Sequence, residues 1–325
     1  MSGLPTSADV IRAAERIKGV AVRTPLLTNA VLDEVVGARV FVKPEVLQRT
    51  GSFKFRGAYN RISQIAEADR AAGVVAWSSG NHAQGVAAAA KILGLPSRIV
   101  MPKDAPQMKI ERTRGYGAEI VFYDRLTDDR EAIGRALATK HGAVIVPPYD
   151  DADIIAGQGT AGQEIAEDAE RLGVTLDTVL VPAGGGGLVA GTALAFGNTS
   201  PVTQIYCVEP DGFDDHARSL ISGEREKNAD GQGSFCDALM APMPGAITFA
   251  INGWHLAGGL SVSDAEVADA MRFAYSELKL VVEPGGAVAL AALLSKKIDV
   301  SGQFVAIILS GGNVDPALFA GLLVG

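Results

Sequence analysis

The chain has 325 residues, of which 20% are charged and 48% are hydrophobic, and its formal net charge is -8. This composition is that of a globular protein with one large domain or two smaller ones. The acidic balance argues against nucleic acid as the main partner, because phosphate backbones are bound by clustered Lys and Arg. Two cysteines, Cys207 and Cys236, are too few for a disulfide framework or a structural zinc site.

Short β-branched segments alternate with Ala-rich helical patterns along most of the chain. Predicted strands cover residues 73–77, 97–102, 118–123, 143–148, 178–183, 204–210 and 304–312. Predicted helices cover residues 82–94, 106–117, 128–142, 156–173 and 187–197. Strands separated by such helices indicate βαβ units, and therefore an α/β fold with open, mostly parallel twisted sheets flanked by helices. The most polar segment, 222–234, is predicted to be an exposed loop or flap.

No signal for secretion or membrane insertion is found. The N-terminus lacks the apolar region of a secretory signal, and the apolar stretches are broken well short of the ~20 residues that span a bilayer. We therefore expect a cytoplasmic protein with no membrane partner.

Three loops follow predicted strands, where open α/β sheets bind their ligands. They read SSGNH (78–82), PAGGGG (182–187) and SGGN (310–313). In the second loop a strand leads through four glycines into a helix. Because glycines allow close approach to the backbone, and because N–H groups at a helix start attract anions, this loop predicts a phosphate site.

The same glycine loop permits a different interpretation. Gly185, Gly187 and Ala190 match the pattern G-x-G-x-x-A, and Glu209 ends the next predicted strand. This arrangement is typical of a dinucleotide site in a nicotinamide-dependent oxidoreductase. That alternative leaves the other two loops without a function.

A lysine near the N-terminus has an unusual setting. Lys54 stands between Phe53 and Phe55 in the segment SFKFRGA. Apolar surroundings lower the pKa of an amine, and a neutral amine attacks aldehydes. Lys54 is thus a candidate nucleophile, and the alternative is a surface lysine with its charged end in solvent.

Five segments together resemble a known family. They are SFKFRGAYN, SSGNHAQGVAAAAKILG, PAGGGGLVAG, VEPGGAVALAALL and LSGGNVD, in this order. They are similar to the fold-type II pyridoxal-phosphate enzymes, and most similar to the branch of threonine/serine dehydratases and serine racemases. The resemblance implies two sheets as in the tryptophan synthase β chain, a large cofactor domain (1–68 and 149–325), a small domain (69–148) and a homodimer.

The resemblance also implies how the cofactor, pyridoxal 5′-phosphate, is bound. Lys54 corresponds to the Schiff-base lysine, Phe53 would pack against the pyridine ring, Asn81 would bond the 3′-oxygen, and Ser310 would face the ring nitrogen. The residues that correspond to the phosphate cradle are Gly184, Gly185, Gly186, Gly187 and Leu188.

The amino-acid substrate would be bound by the loop that starts α-helical segment 82–94. The residues implied there are Ser78, Ser79, Asn81 and His82. Lys54 would take the Cα proton, and Ser79 corresponds to a second acid or base in the racemases. A serine at the ring nitrogen makes the ring a weaker electron acceptor than a carboxylate would, which favours elimination. The resemblance thus implies a dehydratase that forms a 2-oxo acid and ammonia from threonine, serine or 3-hydroxyaspartate, with a serine/aspartate racemase or an inactive amino-acid-binding module as alternatives.

Two further features bear on metal and substrate. The segment VEPDGFDD resembles the racemase segment that binds Mg2+ or Ca2+, with Glu209, the carbonyl of Phe213 and Asp215 as ligands of a type that also suits Mn2+. An acidic loop without an ion is the alternative.

Arg130 resembles a racemase arginine that contacts the far carboxylate of dicarboxylates, which would favour 3-hydroxyaspartate. The alternative is a solvated helix charge. Ala238 stands where the family usually has glycine, in a loop on the substrate side, so this departure bears on the substrate and not on the type of reaction.

Overall fold

The strands form two separate sheets. The structure, a computed structural model, describes residues 3–78, 80–105, 107–229 and 233–324. The large sheet has six strands in the order β1-β2-β10-β7-β8-β9. Their bounds are Leu27–Thr28 (β1), Arg39–Pro44 (β2), Thr178–Pro182 (β7), Gln204–Pro210 (β8), Gly258–Val262 (β9) and Phe304–Leu309 (β10). Only the pair β1–β2 is antiparallel among these described pairs.

The small sheet has four parallel strands in the order β5-β4-β3-β6. Their bounds are Val74–Trp77 (β3), Ser97–Pro102 (β4), Glu119–Tyr123 (β5) and Val144–Ile145 (β6). The last strand is shorter than the predicted segment 143–148. Pro147 and Pro148 have no N–H to donate to a ladder, so pairing ends before them. The predicted fold class is confirmed, with two mostly parallel sheets flanked by helices.

Helices connect the strands and cover the sheets. Their bounds are Ser7–Ile17 (α1), Ala30–Val36 (α2), Lys54–Ser63 (α3), Asn81–Leu93 (α4), Gln107–Gly115 (α5), Arg130–His141 (α6), Ala152–Arg171 (α7), Gly187–Thr199 (α8), Asp215–Ser222 (α9), Ala246–His255 (α10), Asp264–Phe273 (α11), Pro284–Leu294 (α12) and Pro316–Val324 (α13). Within the described ranges, none of these helices combines the length and apolar character needed to cross a membrane.

Side chains alternate between the two faces of the large sheet. In β10, Val305, Ile307 and Leu309 join the core that contains α11 and α12, whereas Ala306 and Ile308 join the core that contains α7 and α8. Because both faces are covered, the strand is apolar throughout, as expected of a buried parallel sheet. This packing fixes where each strand ends, and therefore where the loops with the predicted site residues lie.

The division into domains stays a prediction. The strands of the small sheet all lie between Val74 and Ile145, and those of the large sheet lie on either side of that range. Residues 223–229 of the predicted polar loop contain no helix or strand.

Candidate active site

The three predicted loops meet at one cavity of about 490 Å3. The predicted residues that line it are Phe53, Lys54, Ser78, Asn81, His82, Arg130, Gly184, Gly185, Gly186, Gly187, Leu188 and Ser310. Ser79, the predicted second acid or base, lies outside the described residues. The described residues of the predicted site thus line one cavity at the carboxyl ends of strands from both sheets, and their functional roles stay predictions.

Lys54 is the first residue of α3 and presents its amine to the cavity. Its Nζ donates a hydrogen bond to the carbonyl oxygen of Pro148 at 2.6 Å and lies 5.0 Å from the centre of the Phe53 ring. Burial lowers the pKa of this amine to about 8. Phe55 does not contribute to that setting, because it is fully buried in the core beneath α3 and α4.

A hydrogen bond between backbone groups links the start of α3 to the end of β10. The N–H of Phe53 donates to the carbonyl oxygen of Ser310 at 3.1 Å, and Ser52 forms a β-bridge with Gly311. Ser310 is buried, with 4% of its surface exposed. Lys54 and Ser310 are thus held on neighbouring walls of the cavity although they come from opposite ends of the chain.

The glycine loop joins β7 to α8 and forms another wall. Gly186 has φ +90°, and a Cβ at this position would lie 2.3 Å from Nε2 of His216. The hydroxyl of Thr248 donates to the carbonyl oxygen of Gly185 at 2.7 Å. The first N–H groups of α8 have no partners within the helix, as at any helix start. A bare loop followed by free N–H groups fits the phosphate of the predicted cofactor.

Asn81 begins α4, and both polar atoms of its side-chain amide form hydrogen bonds. Its Nδ2 donates to Oε1 of Glu283 at 2.5 Å, and its Oδ1 accepts from Nδ2 of Asn313 at 2.7 Å. Glu283 lines the cavity with 3% exposure, and burial, together with the charge of Asp237, raises the pKa of its carboxyl to about 7. Glu283 was not expected from the sequence as a site residue, although it lies in one of the five motifs. Its signal was a lone carboxylate within the apolar segment VVEPGGAVAL.

His82 is neutral and anchored. Its Nε2 lies 2.8 Å from the carbonyl oxygen of Val146, and the side chain is almost fully buried. Burial, with a smaller contribution from the nearby charge of Lys54, lowers the pKa of the ring to about 3. The ring therefore lines the cavity as a hydrogen-bonding group without charge.

Basic side chains also line the cavity. Arg130 begins α6 and is exposed on the cavity wall, and in the described part of the chain it forms no ion pair. Lys109 also lines the cavity, but its Nζ is paired with Asp237 at 2.8 Å. The ring of Tyr149 packs directly against Gly185, since a Cβ on that glycine would lie 2.3 Å from the tyrosine ring. The sequence did not predict that three of these residues line the cavity, because their contacts are distant along the chain. They are Lys109, Asp237 and Tyr149.

The predicted metal ligands lie behind the glycine loop. Glu209 and Asp215 are fully buried, which is unlike a solvated acidic loop. Each oxygen of Glu209 accepts one backbone N–H, from His216 at 3.0 Å and from Ala217 at 2.9 Å. Burial and the charge of Glu209 raise the pKa of Asp215 to about 7. Phe213 lies buried in the turn between them, and the role of its carbonyl stays a prediction.

Glu209 does not suit the dinucleotide interpretation. Its carboxylate is enclosed at the end of β8 and is occupied by the N–H groups at the start of α9. A carboxylate that binds a ribose must be reachable from the ligand cavity.

Comparison with known proteins agrees with this geometry. A family model described as pyridoxal-phosphate dependent enzyme matches residues 17–311. The chain is 50% identical over 317 residues, covering 98% of both chains, to a protein from a Pseudomonas species named L-threo-3-hydroxyaspartate ammonia-lyase. It is 44% identical over 322 residues, 99% of this chain and 97% of the relative, to a Saccharomyces cerevisiae protein of the same name. The structure of maize serine racemase superposes with a TM-score of 0.92 at 35% identity, over 99% of this chain and 97% of that one.

Proposed function

The chain belongs to the pyridoxal-phosphate dependent enzyme family, and on that premise we propose that it is an ammonia-lyase of β-hydroxy amino acids. The family predicted from the five motifs is confirmed, and the oxidoreductase alternative is wrong. The cofactor is pyridoxal 5′-phosphate. The proposed reaction removes the Cα proton and the β-hydroxyl group of the substrate, and hydrolysis of the product gives a 2-oxo acid and ammonia.

The residues of the cavity have separate roles in this proposal. When bound, the cofactor supplies a ring that accepts the electron pair left at Cα. Lys54 holds the cofactor, and its Nζ takes the Cα proton, for which a pKa of about 8 is well suited. The glycine loop binds the phosphate. Ser310, with a neutral hydroxyl, limits the electron demand of the ring and so favours loss of the β-hydroxyl over slower transamination.

The substrate carboxylate is proposed to bind at the start of α4. The N-terminus of this helix carries a partial positive charge, and Ser78 and Asn81 add hydrogen-bonding groups to the cavity there. His82 supports this loop as a neutral ring, because its Nε2 is bonded to the backbone of Val146.

We propose 3-hydroxyaspartate, in its L-threo form, as the preferred substrate. The observation that carries this choice is Arg130, a guanidinium on the cavity wall that forms no ion pair in the described part of the chain. A guanidinium binds a carboxylate through two parallel hydrogen bonds, and threonine and serine have no second carboxylate to offer. The names of the two relatives above support the same substrate.

The experiment compares substrates on the purified holoenzyme. L-threo-3-hydroxyaspartate, its other isomers, L-threonine and L-serine are supplied separately, and the 2-oxo acid and ammonia are measured. We expect equal amounts of both products, with a kcat/KM for L-threo-3-hydroxyaspartate roughly ten to a hundred times that for threonine, as one charge-assisted bond would give. Chiral analysis of the remaining amino acid tests the racemase alternative. Inverted substrate without ammonia would overturn the proposal in favour of that alternative.

A further inference from the structure

A histidine lies beside the two predicted metal-binding carboxylates. The side chains of Glu209, Asp215 and His216 are fully buried. Nδ1 of His216 is 3.5 Å from Oε1 of Glu209 and 3.8 Å from Oδ2 of Asp215, and one ligand atom from each residue lies within 4.8 Å of the others. Metal–nitrogen and metal–carboxylate bonds of about 2.0–2.2 Å can bridge the separations of 3.5 and 3.8 Å, since each of these two distances is less than two bond lengths. The three donors can therefore share one ion.

Their hydrogen bonding points to the same conclusion. Neither ring nitrogen of His216 nor Oδ2 of Asp215 has a hydrogen-bond partner among the described residues. Buried polar groups are almost always paired, and two carboxylates enclosed together repel unless a cation lies between them. Nδ1 of His216 and Oδ2 of Asp215 lie 3.8 Å apart, so a cation with affinity for nitrogen as well as oxygen would satisfy both of these atoms.

We propose that His216 is a third side-chain ligand, and that this site selects a divalent first-row transition ion over Mg2+ or Ca2+. Mg2+ and Ca2+ prefer oxygen ligands alone, whereas imidazole suits ions such as Zn2+, and the affinity of a site with nitrogen and oxygen ligands rises from Mn2+ to Co2+. The inference is independent of the proposed substrate, because it concerns binding of the ion and not turnover.

The other ring nitrogen faces the cofactor cradle. A Cβ at Gly186 would lie 2.3 Å from Nε2 of His216 and 2.9 Å from Nδ2 of Asn252, so both side chains lie directly against this glycine. An ion at Nδ1 places the ring proton on Nε2 and fixes the orientation of the ring. The bound ion therefore stiffens the wall behind the phosphate loop, and it should slow dissociation of the cofactor.

The test measures binding of single ions to the holoenzyme after chelation and dialysis. Co2+ alone and Ca2+ alone are titrated into wild type, His216→Gln and the exposed-site control His255→Gln. Calorimetry gives affinities, the visible absorption of Co2+ reports nitrogen ligation, and melting temperature reports stabilisation by the ion. We expect His216→Gln to weaken Co2+ binding by roughly a hundredfold or more, since loss of an outer-shell partner alone costs about 10–100-fold. Ca2+ binding should change by less than about tenfold, and the control should match wild type.

Equal losses for Co2+ and Ca2+, or unchanged Co2+ binding, would overturn the assignment of His216 as a ligand. Wild type that binds neither ion would overturn the site itself. A second measurement needs no variant: pulsed electron paramagnetic resonance of Mn2+-loaded wild type labelled with 15N-histidine. Hyperfine coupling to 15N supports the proposal, and its absence contradicts it even if His216→Gln fails to fold.

Discussion

The side-chain amide of Asn81 donates a 2.5 Å hydrogen bond to the carboxylate of Glu283 and thereby joins the start of α4 to the start of α12. The oxygen of the same amide accepts a hydrogen bond from Asn313. The two bonds together fix both the position of the Asn81 side chain and which way its amide group faces. Asn81 is the residue proposed to contact the 3′-oxygen of the cofactor. Its position in the cavity is consequently set by a carboxylate at the N-terminal end of α12.

Glu283→Gln should change how stability depends on pH. The pKa of Glu283 is raised from its usual 4.5 to about 7, so the folded state holds a proton that the unfolded chain has already lost. The contribution of this group to the free energy of unfolding therefore falls as pH rises from about 4.5 to about 7. The variant cannot lose this proton, so its free energy of unfolding should rise relative to that of wild type between about pH 4.5 and 7. The expected relative increase is on the order of 1–3 kcal/mol. Urea unfolding at several pH values measures the difference, with the exposed Glu224→Gln as control. A difference that does not vary with pH would refute the assignment.

Lys54→Ala should abolish turnover and leave the fold intact. The variant loses both the covalent attachment of the cofactor and the proposed base at Cα, whereas removal of one amine at the edge of a cavity has little effect on folding. Ammonia release and retention of the cofactor after borohydride reduction are the measurements, and Lys140→Ala, on the exposed face of α6, is the control. Turnover near the wild-type rate would remove Lys54 from the mechanism.

The rate at which the apoenzyme attaches the cofactor should rise with pH. Only the neutral amine attacks an aldehyde, and burial lowers the pKa of Lys54 to about 8, so the reactive fraction grows as pH increases through that value. Stopped-flow absorption between pH 6.5 and 9.5 follows the attachment. A rate that still rises without a plateau at pH 9.5, as the usual lysine pKa of about 10.4 would give, would mean that the cavity does not desolvate this amine.

Gly186→Ala should weaken cofactor binding beyond the effect of backbone strain. Alanine at φ +90° is strained, and its Cβ would also meet the ring of His216. Gly94→Ala is the matched control, because Gly94 has φ +73° with no atom near its would-be Cβ. Both variants should lose about 1–2 kcal/mol of stability from the left-handed conformation. Only Gly186→Ala should release the cofactor on gel filtration, and equal retention in both would place the phosphate elsewhere.

Arg130→Ala should reduce kcat/KM for 3-hydroxyaspartate and leave serine nearly unchanged. The expected loss is about tenfold, the low end for a charge-assisted pair, because the guanidinium is exposed to solvent. Arg135→Ala is the comparison, since Arg135 lines the same cavity but is paired with Glu131 at 3.3 Å. Equal losses on both substrates would mean that Arg130 has a structural role.

The sequence predicted the alternation of strands and helices well, because buried parallel strands and Ala-rich helices carry strong local patterns. It also indicated that the glycine loop and the loop of Ser310 bind ligands, because such loops lie at the carboxyl ends of strands. Lys54 was joined to them only by the family resemblance. What it could not predict are partners distant along the chain. Asn81 with Glu283, Lys109 with Asp237, and His216 with Gly186 meet only through the packing of helices between sheets. The exposure of Arg130 likewise depends on how α6 lies on the small sheet.

The central place of β10 has a consequence for biosynthesis. This strand is made last among the strands, yet it lies between β2 and β7 and pairs with both. A chain still emerging from the ribosome has β2 and β7 without the strand that joins them, and Phe53 without the carbonyl of Ser310. The amine and the phosphate loop therefore reach their common cavity only after β10 has been made. Capture of the vitamin-derived cofactor by this protein therefore has to wait until β10 has emerged and paired with β2 and β7.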